Sequence, residues 1–173
     1  MKISLILKSI FFTLMFPGVG AFLMPYLILN QTNDLIFPSI SVINVFTFIF
    51  GLACLFCLIR CIWGFAFYGK GTLAPIDPPK TLVVYGPYNY TRNPMYLSVI
   101  GILVSETILF KSIYLPIYML ILFSMFHIFI TFYEEPKLRE LFGESYERYF
   151  QSVPRWWINL KPYKLGGLKE EKK

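Results

Sequence analysis

Charge is what this sequence has least of. Only 15% of its 173 residues are charged, while 56% are hydrophobic and 19% aromatic. A soluble domain carries about 25% charged residues, so an ordinary soluble fold is excluded. Histidine is nearly missing, His127 being the only one. Cysteine is confined to Cys54, Cys57 and Cys61, three and four residues apart on one helical face. A metal or redox site is one reading of that face. No second ligand cluster accompanies it to complete a zinc site, and small, polarizable packing residues are the favoured reading. Repeats, low-complexity tracts and nucleic-acid motifs are also missing. The net charge of +6 resides on residues that flank apolar runs. It is therefore read as meeting anionic lipid headgroups, not nucleic acid.

What the chain has is long apolar runs. Crossing a bilayer takes roughly 20 predominantly apolar residues in a helix. In lipid the backbone must satisfy itself, so such runs are helical. Four spans are expected: Ser9 to Leu29, Ile40 to Phe67, Met95 to about Phe110, and Ile113 to Tyr133. Pro17 and Pro25 should kink the first. A cleaved signal peptide is the rival reading of the N-terminus, but the run is too long and lacks a small-residue cleavage site. Lysine and arginine alternate between the connecting segments. They are present at the N-terminus, absent from "NQTNDLIFPS", present at Arg60, Lys70, Lys80 and Arg92, reduced to Lys111, and dense in the tail. That pattern puts both termini and the Tyr68–Arg92 loop in the cytoplasm. The expected fold is an all-α, multi-pass integral membrane protein with a C-terminal helical hairpin and an interfacial amphipathic helix. It divides at 1–68, 69–157 and 158–173, the last a basic, disordered tail.

The Tyr68–Arg92 loop is too rich in Gly and Pro for a helix. "KTLVVY" suits a short extended piece, with a turn at Gly86-Pro87. Asn93 then suits an N-cap and Pro94 the first helical position. The free N–H groups there favour an anionic or polar ligand group. Lys111-Ser112 is a tight link, so the third and fourth spans form an antiparallel hairpin. Glu106 lies near its outer end and is expected to reach water or Lys111; the rival is a functional intramembrane acid. His127 is expected as a buried, hydrogen-bonded neutral imidazole, with proton transfer the rival. Beyond Tyr133, Leu138, Leu141, Phe142, Tyr146, Tyr149 and Phe150 recur at helical spacing. They predict a helix lying on the membrane surface, ended by Pro154, with Trp156 and Trp157 in the interfacial belt.

The hairpin brings the start of the third span and the end of the fourth to the same depth. The Lys80–Tyr96 segment therefore meets Glu134-Glu135. A carboxylate beside helix-terminal N–H groups, aromatic rings and an apolar interior suits an amphipathic cofactor. The alternative is that Arg92 and Glu134 merely pair at the interface.

"TLVVYGPYNYTRNPMYL", followed by "EEPKLRELFGESYERYFQSVPR", resembles the isoprenylcysteine carboxyl methyltransferase and phospholipid N-methyltransferase superfamily. The likeness covers roughly residues 69–156, in the bacterial-type form Arg-Asn-Pro-x-Tyr. It implies S-adenosylmethionine as cofactor, in keeping with the lack of a Gly-x-Gly-x-x-Gly element. By motif position the cofactor contacts fall on Lys80, Thr81, Leu82, Val83, Tyr88, Asn93, Pro94, Met95, Tyr96 and Glu134. Glu134, Glu135 and Arg92 are the catalytic candidates. The implied reaction is in-line methyl transfer to a lipophilic or prenylated acceptor drawn from the bilayer, either a carboxylate or a lipid amine. Two positions depart from the prenylcysteine enzymes: Asn93 stands for their histidine, and Ile130 for the arginine that meets the substrate carboxylate. A membrane reductase using NADPH and a non-enzymatic membrane scaffold are the alternatives.

Overall fold

A computed structural model describes residues 14–36, 38–64 and 81–163. Lys80, the far ends of the first two spans, the 68/69 boundary, most of the loop before Thr81 and the tail from residue 164 lie outside the described residues. Within them the chain is helical and no strand occurs.

The first helix, α1, begins as a π-helix over Leu14–Leu23 and continues as an α-helix over Met24–Thr32. Pro17 lies inside the π segment and Pro25 in the first turn of the α segment. Proline has no N–H to donate, so the i→i−4 ladder breaks at each, and the wider register accommodates the break. Asn33 closes the helix in the left-handed region at φ 59°, a conformation asparagine tolerates.

Helix α2 covers Val42–Gly64. Its 23 residues rise about 35 Å, enough for a hydrocarbon core of about 30 Å. Phe46, Phe48, Ile49, Phe56 and Trp63 point outward and are exposed, an arrangement suited to lipid, not water. Helix α3, Pro94–Phe110, is apolar but has only 17 residues. Helix α4, Tyr114–Phe129, runs through a π turn, Ile130–Glu134, into α5, Glu135–Ser152. Val42–Gly64 and Tyr114–Ser152 are the two helical runs, among the described residues, long and apolar enough to cross a membrane.

Small residues let α2 and α3 approach closely. A Cβ on Gly101 would lie 2.5 Å from Cys54 Sγ, and one on Gly51 2.6 Å from Ser105 Oγ. Ser105 Oγ donates across to Thr47 O at 2.9 Å. The cysteine face is thus a packing face: Cys54 seats on Gly101, and Cys61 packs with Val83 and Tyr88. Ala21 of α1, Leu58 of α2 and Val99, Ile102 and Leu103 of α3 form the core, with Tyr118, Leu122 and Phe126 of α4 packed on it. Tyr118 Oη donates to Gly20 O in the π segment of α1 at 2.9 Å.

Lys111, at φ 54°, turns the chain between α3 and α4. Ser112 Oγ donates to Asp34 Oδ2 at 2.7 Å, which ties this end of the hairpin to the loop after α1. Three expectations change here. Glu106 is half-buried and does not meet Lys111: its Oε2 is buried with no hydrogen-bond partner among the described residues, while Lys111 lies exposed. His127 is exposed, not buried, and accepts the indole N–H of Trp156 at Nδ1, 3.2 Å. The surface helix is broken at Gly143, whose φ of 50° and ψ of −127° are not helical. The break turns Tyr146 and Tyr149 inward with Val153 as a buried cluster on Leu82, Val84 and Tyr163. That apolar stripe therefore packs on the chain's own loop, although Leu141 remains exposed.

Candidate functional site

Residues Thr81 to Asn93 lead into α3 without regular strand structure, apart from a 3-10 turn at Gly86–Asn89. Two anchors hold the segment. Val83 and Tyr88 are buried against Cys61 of α2, and Tyr149 Oη donates to Tyr88 O at 2.7 Å. Burial raises the pKa of the Tyr88 phenol well above its ordinary value, so it stays protonated.

Helix α3 starts where the sequence places it, with Asn93 at the N-cap and Pro94 at the first position. The Asn93 side chain makes no capping bond. It is buried, and its Nδ2 donates to Arg155 O at 3.3 Å. Tertiary contact has taken the amide that local rules assign to the helix. The first turn still leaves backbone N–H groups without intrahelical partners. Pro94 has none to offer, so Met95 and Tyr96 carry them.

Tyr96 is the link between the two motifs. Its Oη donates to Glu134 Oε2 at 2.8 Å, and its ring meets Phe126 at 4.7 Å. The start of α3 and the end of α4 therefore share one end of the hairpin, opposite Lys111-Ser112. Glu134 is the last residue of the π turn, one position beyond the apolar run. π-bulges of this kind are frequent at functional sites. Burial pushes the Glu134 carboxyl above its ordinary pKa; the Tyr96 hydrogen bond opposes this, and Glu135 adds to it.

Arg92 pairs with Glu135, not with Glu134: Nη1 lies 3.2 Å from Glu135 Oε1. Its guanidinium also stacks on Phe150 at 3.9 Å, with Arg139 on the same ring at 4.2 Å. Glu135 is 4% exposed, and Arg155 grips it too. Arg155 Nε donates to Oε1 at 2.9 Å and Nη2 to Oε2 at 2.6 Å. A third bond runs from Nη1 to Thr131 Oγ1 at 2.9 Å. The two carboxylates thus differ in kind. Glu135 takes hydrogen bonds on both oxygens from Arg155 and an ion pair from Arg92, and Glu134 holds a single phenol.

Of the expected contacts, Tyr88, Asn93, Pro94, Met95, Tyr96 and Glu134 gather around this end of the hairpin. Val83 backs it through Tyr88, Leu82 packs in the Tyr146–Tyr149 cluster, and Thr81 is exposed. Lys80 lies outside the described residues. Ile130, which stands where the prenylcysteine enzymes carry arginine, is 1% exposed and inside the protein. Sequence reasoning missed Thr131 and the grip of Arg155. The available signals were a threonine four residues before Glu135 and the arginine that ends "VPR".

No curated protein and no solved structure matches the chain. The phospholipid methyltransferase family model matches residues 40–145, which include α2, the α3–α4 hairpin and the Glu134-Glu135 pair. On that match, the chain belongs to the phospholipid methyltransferase family.

Proposed function

We propose that the protein is an S-adenosylmethionine-dependent membrane methyltransferase whose acceptor is a lipid amine. The observation that carries this is the 2.8 Å bond between Tyr96 and Glu134. It joins the two sequence motifs into one site at the mouth of an apolar hairpin.

The donor set suits the cofactor. Glu134 would accept from its ammonium or ribose hydroxyls. The N–H groups of Met95 and Tyr96, at the positive end of α3, would meet its carboxylate. The faces of Tyr96 and Phe126 would attract its sulfonium. Bound there, the cofactor supplies an activated methyl group. The chain's own part is to hold acceptor and donor in line and dry, which is worth up to about 7–11 kcal/mol in well-oriented systems. An amine must also lose its proton, and Glu134 and His127 are the groups left to take it, since both oxygens of Glu135 are occupied. Ile130 supports an amine over a carboxylate, because the position that would offer a cation to an acid is a buried aliphatic.

The proposed topology is four crossings with both termini and the site in the cytoplasm. Arg92, Arg139, Arg148 and Arg155 cluster at the site end, and Lys111 marks the other.

The test is calorimetry of the full chain in detergent with S-adenosylhomocysteine. Wild type is expected to bind. Glu134→Gln should lose about 10- to 100-fold, as for a charged hydrogen bond, and Tyr96→Phe about two- to tenfold, as for a neutral one. Labelled methyl should then pass from S-adenosylmethionine to amine lipids of a total extract. Binding of NADPH in place of S-adenosylhomocysteine would favour a reductase, and binding of neither would favour a scaffold.

A further inference from the structure

We infer that Arg155 is the positioning residue of this site and that residues 153–163 are the strap that carries it. The inference rests on the cofactor reading above and extends past residue 145, where the family match ends.

Helix α5 stops at Ser152, and Val153 is extended and buried. From there the chain runs back along the segment that leads into α3. Arg92 N donates to Pro154 O at 2.9 Å, Asn159 N to Tyr90 O at 2.8 Å and Tyr163 N to Asn89 O at 2.9 Å. The two segments run in opposite directions: 154 meets 92, 159 meets 90, and 163 meets 89. Residues 158–163, expected as the start of a disordered tail, are held here by these backbone bonds. Thr91 is buried, and its Oγ1 also donates to Arg155 O at 3.2 Å.

Arg155 grips both halves of the site. Its carbonyl receives the side chains of Asn93 and Thr91, just before α3. Its guanidinium spends all three nitrogens on Thr131 and Glu135, which flank Glu134 on the π turn. Tyr96 is three residues beyond Asn93. One residue therefore fixes the spacing of the two groups that meet in the site. Glu135, buried and bound by two guanidiniums, is the fixed post and not the reacting acid. Arg155 bonds Thr131 before Glu134 and Glu135 after it, so this clamp sets where the Glu134 carboxylate points.

A clamp and a mere charge partner respond differently to lysine. Lysine keeps the charge that Glu135 needs but cannot reproduce the planar fork. The experiment uses the full chain in detergent and follows S-adenosylhomocysteine affinity by calorimetry and thermal unfolding in parallel. Arg155→Lys is expected to keep its unfolding midpoint near that of wild type yet bind about tenfold more weakly, the size of a small misplacement. Arg148→Lys is the control, because among the described residues the Arg148 guanidinium pairs with exposed Glu144 at 3.7 Å, away from Glu134, and it should bind as wild type does. Arg155→Ala leaves Glu135 buried with one partner; where it fails to fold, Arg155→Lys decides alone. Wild-type affinity in a folded Arg155→Lys chain overturns the clamp and leaves the cofactor reading intact. A loss that vanishes once corrected for the folded fraction also overturns it. If wild type itself does not bind, the cofactor reading and the clamp fall together.

Discussion

On the proposed reading, Glu134 faces opposed demands from folding and from binding. Its carboxyl titrates above the ordinary range in the folded chain, chiefly because it is buried. Between the unfolded and folded pKa values the folded state binds more protons than the unfolded, so stability falls as pH rises through that window. Holding a cation requires the opposite, the charged form, so that contribution is lost as pH falls through the raised pKa. Glu134→Gln removes both effects. The variant is expected to unfold at a higher temperature than wild type at neutral pH while binding more weakly, a trade of function against stability. Its affinity should also lack the acidic limb expected of wild type. Thermal unfolding and calorimetry across pH check both halves; an unchanged acidic limb in Glu134→Gln would assign it to another group. At this scale the sequence discloses which residues meet but not their pairing. Neighbouring residues on a helix point about 100° apart, so Arg92 could have met either glutamate. The π turn decides that it meets Glu135. Thr131, a lone hydroxyl in an apolar run, gives no signal until Arg155 is seen to bond it.

The helices were legible where apolar runs and end signals agree. Asn93-Pro94 marks the start of α3, and the Lys111-Ser112 link marks its end. The breaks inside helices were less so. Gly143 sits in an otherwise good helical pattern, where a glycine reads as a tolerated cost. Its φ of 50° and ψ of −127° lie in a region other residues reach only under strain. Gly143→Ala is therefore expected to destabilise the chain by about 1–3 kcal/mol. It should also loosen Tyr149 from Tyr88 O, and with it the segment that leads into α3. A lowered unfolding midpoint together with faster proteolysis after Arg139 or Arg148 checks this; a chain as resistant as wild type would mean the bend is dispensable. The α2–α3 contact makes a second prediction. A Cβ on Gly101 meets Cys54 Sγ at 2.5 Å, and overpacking of this kind costs about 1–3 kcal/mol. Cys54→Ala takes the sulfur away, so the double variant should recover most of the loss that Gly101→Ala alone incurs. Failure to recover would show that the backbones, not the side chain, are in conflict.

At the scale of the whole molecule, the hairpin argument predicts which ends meet, because two helices joined by so short a link must return to the same level. It cannot predict the strap, whose own groups toward residues 89–93 are backbone N–H and C=O and carry no sequence signature. The two ends of the bundle now have separate markers. Ser112 and Asp34 bond at one end, and Tyr96 and Glu134 at the other. Ile40, 98% exposed, belongs to the loop at the first end, and Leu160, 94% exposed, to the strap at the second. The proposed crossings put these residues on opposite sides of the membrane. A cysteine at position 40 should react with an impermeant maleimide added outside intact cells, and one at position 160 only after the membrane is opened. The native cysteines supply the baseline, since Cys54 and Cys57 are half-buried along α2 and Cys61, in its last turn, is buried. Labelling of both positions from one side would put the loop and the strap in the same compartment. An odd number of crossings would then have to separate them no longer, and the cytoplasmic entry of the cofactor would lose its basis. Opposite labelling with position 160 outside would keep the crossings and reverse the orientation, against the arginines at the site end. Only inside labelling at 160 with outside labelling at 40 agrees with both the hairpin and the charge.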